Sequence, residues 1–106
     1  MEAIIAKSGL SQAFQWLVLG EPAPITYCTL DGYIRDKQGR AFDLIETNFL
    51  ITDPLNAIFE VVLTEDELER VFGSDTVSPQ TGTLEIWGTV PGLKRMLIAK
   101  RPVECH

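Results

Sequence analysis

Residues 51–68, ITDPLNAIFEVVLTEDEL, carry in succession the signals of a turn, a strand and a helix start. Asp53-Pro54 predicts a tight turn, because proline fixes its own φ angle and pushes the residue before it out of the helical region. Apolar residues then alternate with other residues, as in a strand with one buried face, and the predicted inward side chains are Phe59, Val61 and Leu63. The stretch therefore predicts a core strand that follows directly on a turn.

A short helix is predicted immediately after this strand. Thr64 and Glu67 have the spacing of a capping box, in which each side chain accepts a hydrogen bond from the backbone N–H of the other residue. Gly73 is a natural residue at which a helix ends, so the helix is expected over Glu65–Phe72. Three apolar residues at helical spacing would hold it against the strands, and they are Leu68, Val71 and Phe72.

Length and composition favour one all-β domain. The chain has 106 residues, of which 45% are hydrophobic, which is enough for one core and too few for two. β-branched residues and Leu are frequent, Gly and Pro recur at intervals, and alanine-rich helical runs are absent. We expect a single domain over residues 1–106, with a strand at 2–7 and a tail at 101–106 that are both peripheral.

The charge of the chain excludes some classes of partner. Nine Lys and Arg against fifteen Asp and Glu give a net charge of −6, whereas proteins that bind nucleic acid or anionic membranes draw much of their affinity from cationic surface. No apolar run approaches the roughly 18 residues of a membrane span. Residues 1–7 lack a basic segment followed by a sustained apolar one, so no signal peptide is predicted.

Alternating patterns predict six or seven strands, at the spacing typical of a sandwich or barrel. Besides 2–7 and 58–63, the predicted strands are 13–19, 25–35, 41–51, 83–89 and 93–99. Turn residues at 36–39 and 91–92 and a long polar loop at 74–82 separate them. Trp16 is expected in the core, because its neighbours alternate cleanly.

Two positions predict irregular strands. Gly32, inside a strand pattern, indicates a bulge or the close approach of another backbone. The pattern of 41–51 changes phase near Leu44-Ile45, where we expect a bulge that switches the inward face.

Residues with catalytic or metal-binding chemistry are few. His106, the single histidine, is terminal and would be poorly fixed, which argues against a nucleophilic triad and against a closed metal site with Cys105. The acidic residues of 65–69 are better explained by the helix dipole, which favours negative charge in the first turn. Cys28 and Cys105 are interpreted as free thiols, with a disulfide between them as the alternative. No catalytic residue, cofactor or metal is predicted.

Exposed aromatic and basic residues are the candidates for binding. Tyr33 and Trp87 are expected at the surface, where aromatic residues favour interfaces. Lys94 and Arg95, with Lys100 and Arg101, form two basic pairs on the last strand and its exit. These pairs either orient the protein against an acidic neighbour or another copy, or form a solvated edge that resists unwanted strand pairing.

Three segments resemble immunoglobulin-like β-sandwich domains of tailed-bacteriophage structural proteins, such as the N-terminal domain of the baseplate upper protein. They are the hairpin YIRDKQGR at 33–40, the segment from ITD at 51–53 to IFEVVLTEDEL at 58–68, and the closing hairpin from GTLEIWG at 82–88 to LIAKRPV at 97–103. The resemblance covers residues 25–103. It departs from the family pattern at Ala57, where glycine is usual, and in the length of the loop at 74–82.

The resemblance implies an immunoglobulin-like β-sandwich of about seven strands with one short helix. It implies a non-enzymatic virion protein, a tail, baseplate or neck adaptor that contacts other virion proteins and copies of itself, and that is assembled in the bacterial cytoplasm. The expected interface residues are Tyr33, Trp87, Lys94 and Arg95. A carbohydrate- or ligand-binding β module with Trp87 and Tyr33 as a platform is the alternative, and a small enzyme ranks last.

Overall fold

This computed structural model describes residues 3–6, 8–73 and 80–105. The described residues contain ten strands and one α-helix, with three short 3-10 turns between strands. The strands are β1 (Ile4–Ala6), β2 (Gly9–Gln15), β3 (Leu17–Val18), β4 (Glu21–Pro22), β5 (Thr29–Asp36), β6 (Ala41–Asp43), β7 (Phe49–Asp53), β8 (Ile58–Thr64), β9 (Gln80–Thr89) and β10 (Met96–Cys105). The helix α1 spans Glu65–Phe72, and no helix of the described residues is long and apolar enough to cross a membrane. The predicted all-β class is confirmed.

The strands form two main sheets around one core. The first sheet has five strands in the order β1-β10-β9-β5-β6, the second has three in the order β2-β8-β7, and β3 and β4 form a separate hairpin. All pairs are antiparallel except β1 with β10. Buried side chains of both sheets and of α1 belong to one hydrophobic cluster, so the sheets pack as two layers. The described residues form ten strands, more than the six or seven predicted, because four of the ten have only two or three residues.

The stretch 51–68 folds as its residues predict. A turn at Pro54–Asn56 follows Asp53, whose carboxylate accepts from the N–H of Asn56. The predicted inward residues of β8, Phe59, Val61 and Leu63, are all buried. Ala57, which follows the turn, adopts the left-handed conformation at φ 54° and is itself fully buried.

The helix α1 has the predicted bounds and the predicted capping box. Thr64 Oγ1 accepts from the N–H of Glu67 at 3.2 Å, and Glu67 Oε1 accepts from the N–H of Thr64 at 2.9 Å. The helix ends at Gly73, which has φ 79°. The three apolar residues predicted to hold it in place, Leu68, Val71 and Phe72, are buried.

The predicted boundaries of the early strands need correction. The second strand begins at Gly9, not at residue 13, and the strand expected from residue 25 begins at Thr29 after a 3-10 turn at Ile25–Tyr27. Pro22 lies in β4, which pairs only with β3 in a separate hairpin among the described strands, and such an edge position tolerates a residue without a backbone N–H. Trp16 is in the core as expected, at 2% exposure.

Gly32 and the segment 41–51 show two different irregularities. A Cβ atom on Gly32 would lie 2.4 Å from the carbonyl oxygen of Glu85, so a close backbone approach explains this glycine. The bulge expected at Leu44-Ile45 is wrong: the chain leaves the first sheet after β6, makes a 3-10 turn at Glu46–Asn48 and enters the second sheet as β7. In the second half of the pattern Phe49 packs against the core, whereas Ile45 and Ile51 are 59% and 39% exposed, so the apolar alternation does not mark one continuous inward face.

The expected peripheral tail is also wrong within the described residues. β10 continues through residues 101–105, and over Val103–Cys105 it is paired with β9 on one side and β1 on the other. Val103 is fully buried. Pro102 is tolerated because β1 begins opposite Val103, so the strand is paired on one side only at the proline. β1 is at the edge of the sheet, but Ile4 and Ala6 belong to the core.

The long loop expected at 74–82 is shorter on its C-terminal side. Residues 80–82 belong to β9, and a Cβ atom on Gly82 would lie 2.2 Å from the carbonyl oxygen of Arg35 on the neighbouring strand. The rest of the predicted loop, residues 74–79, lies outside the described residues.

Candidate functional site

The solvent-facing side of the five-stranded sheet gathers aromatic and charged residues. Side chains alternate along a strand, and the intervening residues Ile34, Leu84 and Ile86 are fully buried. The residues between them therefore direct their side chains to the opposite face, which we call the outer sheet face. It comprises Asp31, Tyr33, Arg35, Glu85, Trp87 and Leu97, together with Arg95 of the β9–β10 loop. Pairing places Trp87 between Asp31 and Leu97, and Glu85 opposite Tyr33.

Arg95 is held between an aromatic ring and a carboxylate. Its guanidinium carbon lies 4.3 Å from the centroid of the Trp87 ring. Its Nη2 and Nε atoms donate to Oδ2 of Asp31 at 2.5 and 3.0 Å. These hydrogen bonds raise the pKa of Arg95. Both charged side chains keep more than two-fifths of their surface exposed, so the guanidinium is oriented and accessible at the same time.

Tyr33 has a similar environment one step along the sheet. Its hydroxyl donates to Oε1 of Glu85 at 2.9 Å, and the guanidinium carbon of Arg35 lies 4.5 Å from the centroid of its ring. Arg35 also donates to the carbonyl oxygen of Gly39 in the β5–β6 turn. The outer sheet face thus repeats one arrangement, an aromatic ring under an arginine and beside a carboxylate.

Three of the four expected interface residues lie together. Tyr33, Trp87 and Arg95 meet on the outer sheet face, whereas Lys94 is exposed in the adjoining loop and has no ion pair among the described residues. Lys94 and Arg95 are not on the last strand as expected, because β10 begins at Met96. Trp87 and Tyr33 are half-buried, since arginine side chains lie over their rings.

Several residues of this face were not predicted from the sequence. Asp31 and Glu85 acquire their roles from cross-strand register, which no local pattern specifies. Leu97, 47% exposed beside Trp87, reaches this side of the sheet just before a bulge between Leu97 and Ala99. The alternation within residues 83–89 is the one sequence signal for the outward direction of Glu85 and Trp87.

One polar atom at this face has no partner. The indole Nε1 of Trp87 is inaccessible to solvent and forms no hydrogen bond within the described ranges. An unsatisfied buried donor costs about 1–3 kcal/mol, and each such group in a native structure calls for an explanation.

The described residues offer little for catalysis. Residues 3–6, 8–73 and 80–105 contain no group of three His, Cys, Asp or Glu that could hold a metal ion. Cys28 and Cys105 are free thiols, and burial raises the pKa of both, which keeps them protonated and weakly nucleophilic at neutral pH. The acidic residue of α1 that makes specific contacts, Glu67, is engaged in capping.

Comparisons with known proteins give no family for this chain. No protein-family model matches it, and no curated protein matches it. The function is therefore inferred from the geometry of the outer sheet face and from the fold.

Proposed function

We propose that this protein is a non-enzymatic structural protein that acts by protein–protein contacts through the outer sheet face. The observation that carries the proposal is the placement of Arg95 between Asp31 and Trp87. Trp and Tyr, with Arg, are enriched in interfaces and among the hot-spot residues whose truncation weakens binding most. An arginine that is already oriented loses less conformational entropy when a partner binds, so more of the contact energy appears as affinity.

The composition of the face fits a contact between proteins. Leu97 and Trp87 provide adjacent apolar surface, and charges of both signs surround them on Asp31, Glu85 and Arg35. An apolar centre with a polar rim is the usual anatomy of a protein interface. Mixed charges select a partner with the complementary pattern and exclude others.

A sugar platform on the same aromatic residues is less favoured. A carbohydrate stacks on an open ring face, but the guanidinium groups of Arg95 and Arg35 lie over the rings of Trp87 and Tyr33. A sugar would have to displace an arginine from each ring.

The assembly that we propose is the particle of a tailed bacteriophage, where the chain would serve as a tail, baseplate or neck adaptor. Its partners would be other virion proteins and further copies of itself, assembled in the bacterial cytoplasm. This part of the proposal rests on the resemblance over residues 25–103. The strand order fits the immunoglobulin-like fold that this resemblance implies: β10, β9, β5 and β6 correspond to strands G, F, C and C′ of a variable-type domain, and β2, β8 and β7 to B, E and D.

The test is the mass of the particle in solution, measured by light scattering over a concentration series. We expect the wild-type chain to form an oligomer that Trp87→Ala and Arg95→Ala both weaken at least about tenfold, the effect of a typical interface hot spot. Leu55→Ala is the matched control, since Leu55 is 88% exposed on a different part of the surface. Melting curves check that each variant stays folded. Equal oligomerisation by all four chains would overturn the proposal.

A further inference from the structure

In the five-stranded sheet, the short strand β6 pairs with only part of β5. β6 pairs with β5 only at residues 33–35, and the N–H of Leu44 adds one bond to the carbonyl oxygen of Gly32 at 2.9 Å. Residues 29–31 pair with β9 on one side, and no strand of the described residues pairs with them on the other. A strand position therefore stays open beside the first half of β5.

The backbone of Leu30 faces this open position. In a strand, alternate residues direct both backbone polar groups to the same side. The carbonyl oxygen of Gly32 accepts from the N–H of Leu44, and the N–H of Asp36 donates to the carbonyl oxygen of Arg40. The backbone N–H and C=O groups of the even-numbered residues of β5 therefore face the β6 side of the strand. Leu30 follows the same alternation, and no backbone partner for its N–H and C=O on that side exists among residues 3–6, 8–73 and 80–105.

A groove lies directly beside these groups. It has a volume of about 490 Å³, and its lining includes Ile25 and Leu30 together with Phe49 and Ile51 of β7. Among the described residues that line it, Glu46 is the one that carries a charge. Since β7 is the outer strand of the second sheet, the groove is an opening between two sheet edges, and we call it the β5–β7 groove.

We propose that the β5–β7 groove binds an extended segment of another protein, which adds to β5 as a further strand. The free N–H and C=O of Leu30 would pair with the backbone of that segment, as in other cases of β-strand addition. Alternate side chains of a strand point to one side, so the segment would direct apolar side chains towards Ile25 and Phe49. A Lys or Arg near its end would pair with Glu46.

A second copy of this chain suits the groove less well. In a symmetric contact the same surface meets itself, which would bring one Glu46 into a groove that already holds another. Like charges in one contact are unfavourable. This binding site is separate from the outer sheet face, so the proposal stands or falls independently of the virion role.

The test uses a peptide of about nine residues, an extended length typical of a strand, with alternating Val and Thr and a Lys at each end. The readout is hydrogen exchange of the Leu30 amide, followed by NMR at about 1 mM peptide, a concentration that detects even weak binding. We expect exchange to slow by at least about tenfold. A peptide with proline in the central position is the control and should give no protection, because proline cannot donate to the ladder.

Substitutions at Ile51 and Glu46 locate the site, and one at Leu50 is the control. Ile51→Lys should abolish protection of Leu30, whereas Leu50→Lys, the neighbouring exposed residue that does not line the groove, should not. Glu46→Lys should reverse the preference between peptides with Lys ends and peptides with Glu ends, which gives a result even if Ile51→Lys unfolds the chain. Unchanged exchange of Leu30 with every peptide, or equal protection by the proline peptide, would overturn the proposal. Protection that appears on concentrating the chain without peptide would also overturn it, since a second copy would then be the occupant.

Discussion

Asn48 shows how one buried polar residue joins three elements. It is 2% exposed, and its Nδ2 donates to the carbonyl oxygen of Val62 at 2.9 Å and to Oε2 of Glu67 at 2.8 Å. Its Oδ1 accepts from the N–H of Ile45 at 2.9 Å. The side chain is satisfied on both its donor and acceptor atoms, so it fixes the 3-10 turn against β8 and α1.

Replacing this residue should be costly. Asn48→Ala removes three hydrogen bonds and leaves buried groups without partners, so we expect the free energy of unfolding to fall by about 2–3 kcal/mol. Urea denaturation measures the difference, with Thr47→Ala at the exposed neighbouring position as the control. Similar losses for the two variants would contradict the role of Asn48.

The Asn48 contact also predicts a pH dependence. The hydrogen bond from Asn48, and after it the backbone N–H of Thr64, lower the pKa of Glu67 below its usual 4.5. A carboxyl group with a lower pKa in the folded state stabilises the fold above the unfolded pKa and loses that contribution as the pH falls through the folded one. The stability advantage of the wild-type chain over Glu67→Gln should therefore be complete at neutral pH and shrink below about pH 4.5.

The measurement is urea denaturation at several pH values between neutral and acid. Glu69→Gln, exposed on the same helix, is the control. A wild-type advantage over Glu67→Gln that is constant down to low pH would show that the carboxylate charge does not contribute.

Leu19 occupies a position that does not suit leucine. It is fully exposed at φ 52°, and Gly20 follows at φ 83°, the two positive angles of a type I′ hairpin turn that favours Asn-Gly. Leu19→Asn should raise the free energy of unfolding by about 1 kcal/mol, because asparagine adopts this conformation at lower cost. Leu55→Asn, also exposed but without a positive φ angle, should give no comparable gain in thermal melting experiments, and equal shifts would contradict the explanation.

At the scale of elements, β10 decides whether the first sheet forms. It lies between β1 and β9, and Val103 is fully buried. Val103→Asp should abolish the cooperative thermal transition, because an unpaired carboxylate would be buried in the core. Lys100→Ala, exposed on the same strand, should melt close to the wild-type temperature. If both variants melted normally, residues 101–105 would be the peripheral tail that the sequence predicts.

Local signals explain which elements could be predicted. The turn, β8 and α1 depend on residues within eighteen positions of one another, namely the Asp53-Pro54 turn, the alternation of 58–63 and the Thr64–Glu67 capping box. The crossing between sheets at 44–48 could not be predicted, because one continuous apolar pattern serves two layers. β10 was predicted too short because an Arg-Pro pair usually ends a strand, and only the position of β1 shows why it does not here.

The candidate site could be predicted only in part. Tyr33, Trp87 and Arg95 are recognisable as residue types, since exposed aromatic and arginine side chains favour interfaces. Asp31 and Glu85 are ordinary surface acids in the sequence, and pairing with β9 and β5 gives them their partners. The β5–β7 groove depends on where β6 stops, which the residues of β6 do not indicate.

At the scale of the whole molecule, two separate surfaces could make contacts. The outer sheet face presents oriented side chains, whereas the β5–β7 groove presents an open backbone edge. A small domain with two such sites can join two neighbours, which is what an adaptor in a symmetric assembly must do.

The most direct test of the central claim follows the indole N–H resonances of the two tryptophans by NMR during self-association of the chain. Trp16 is buried in the core and Trp87 lies on the outer sheet face, so one molecule contains both the probe and its reference. We predict that the Trp87 resonance shifts as the mass rises above that of the 11.8 kDa chain, while the Trp16 resonance stays constant. A rise in mass that leaves the Trp87 resonance unchanged, or a chain that stays monomeric at every concentration, would contradict the claim that this face joins copies of the chain.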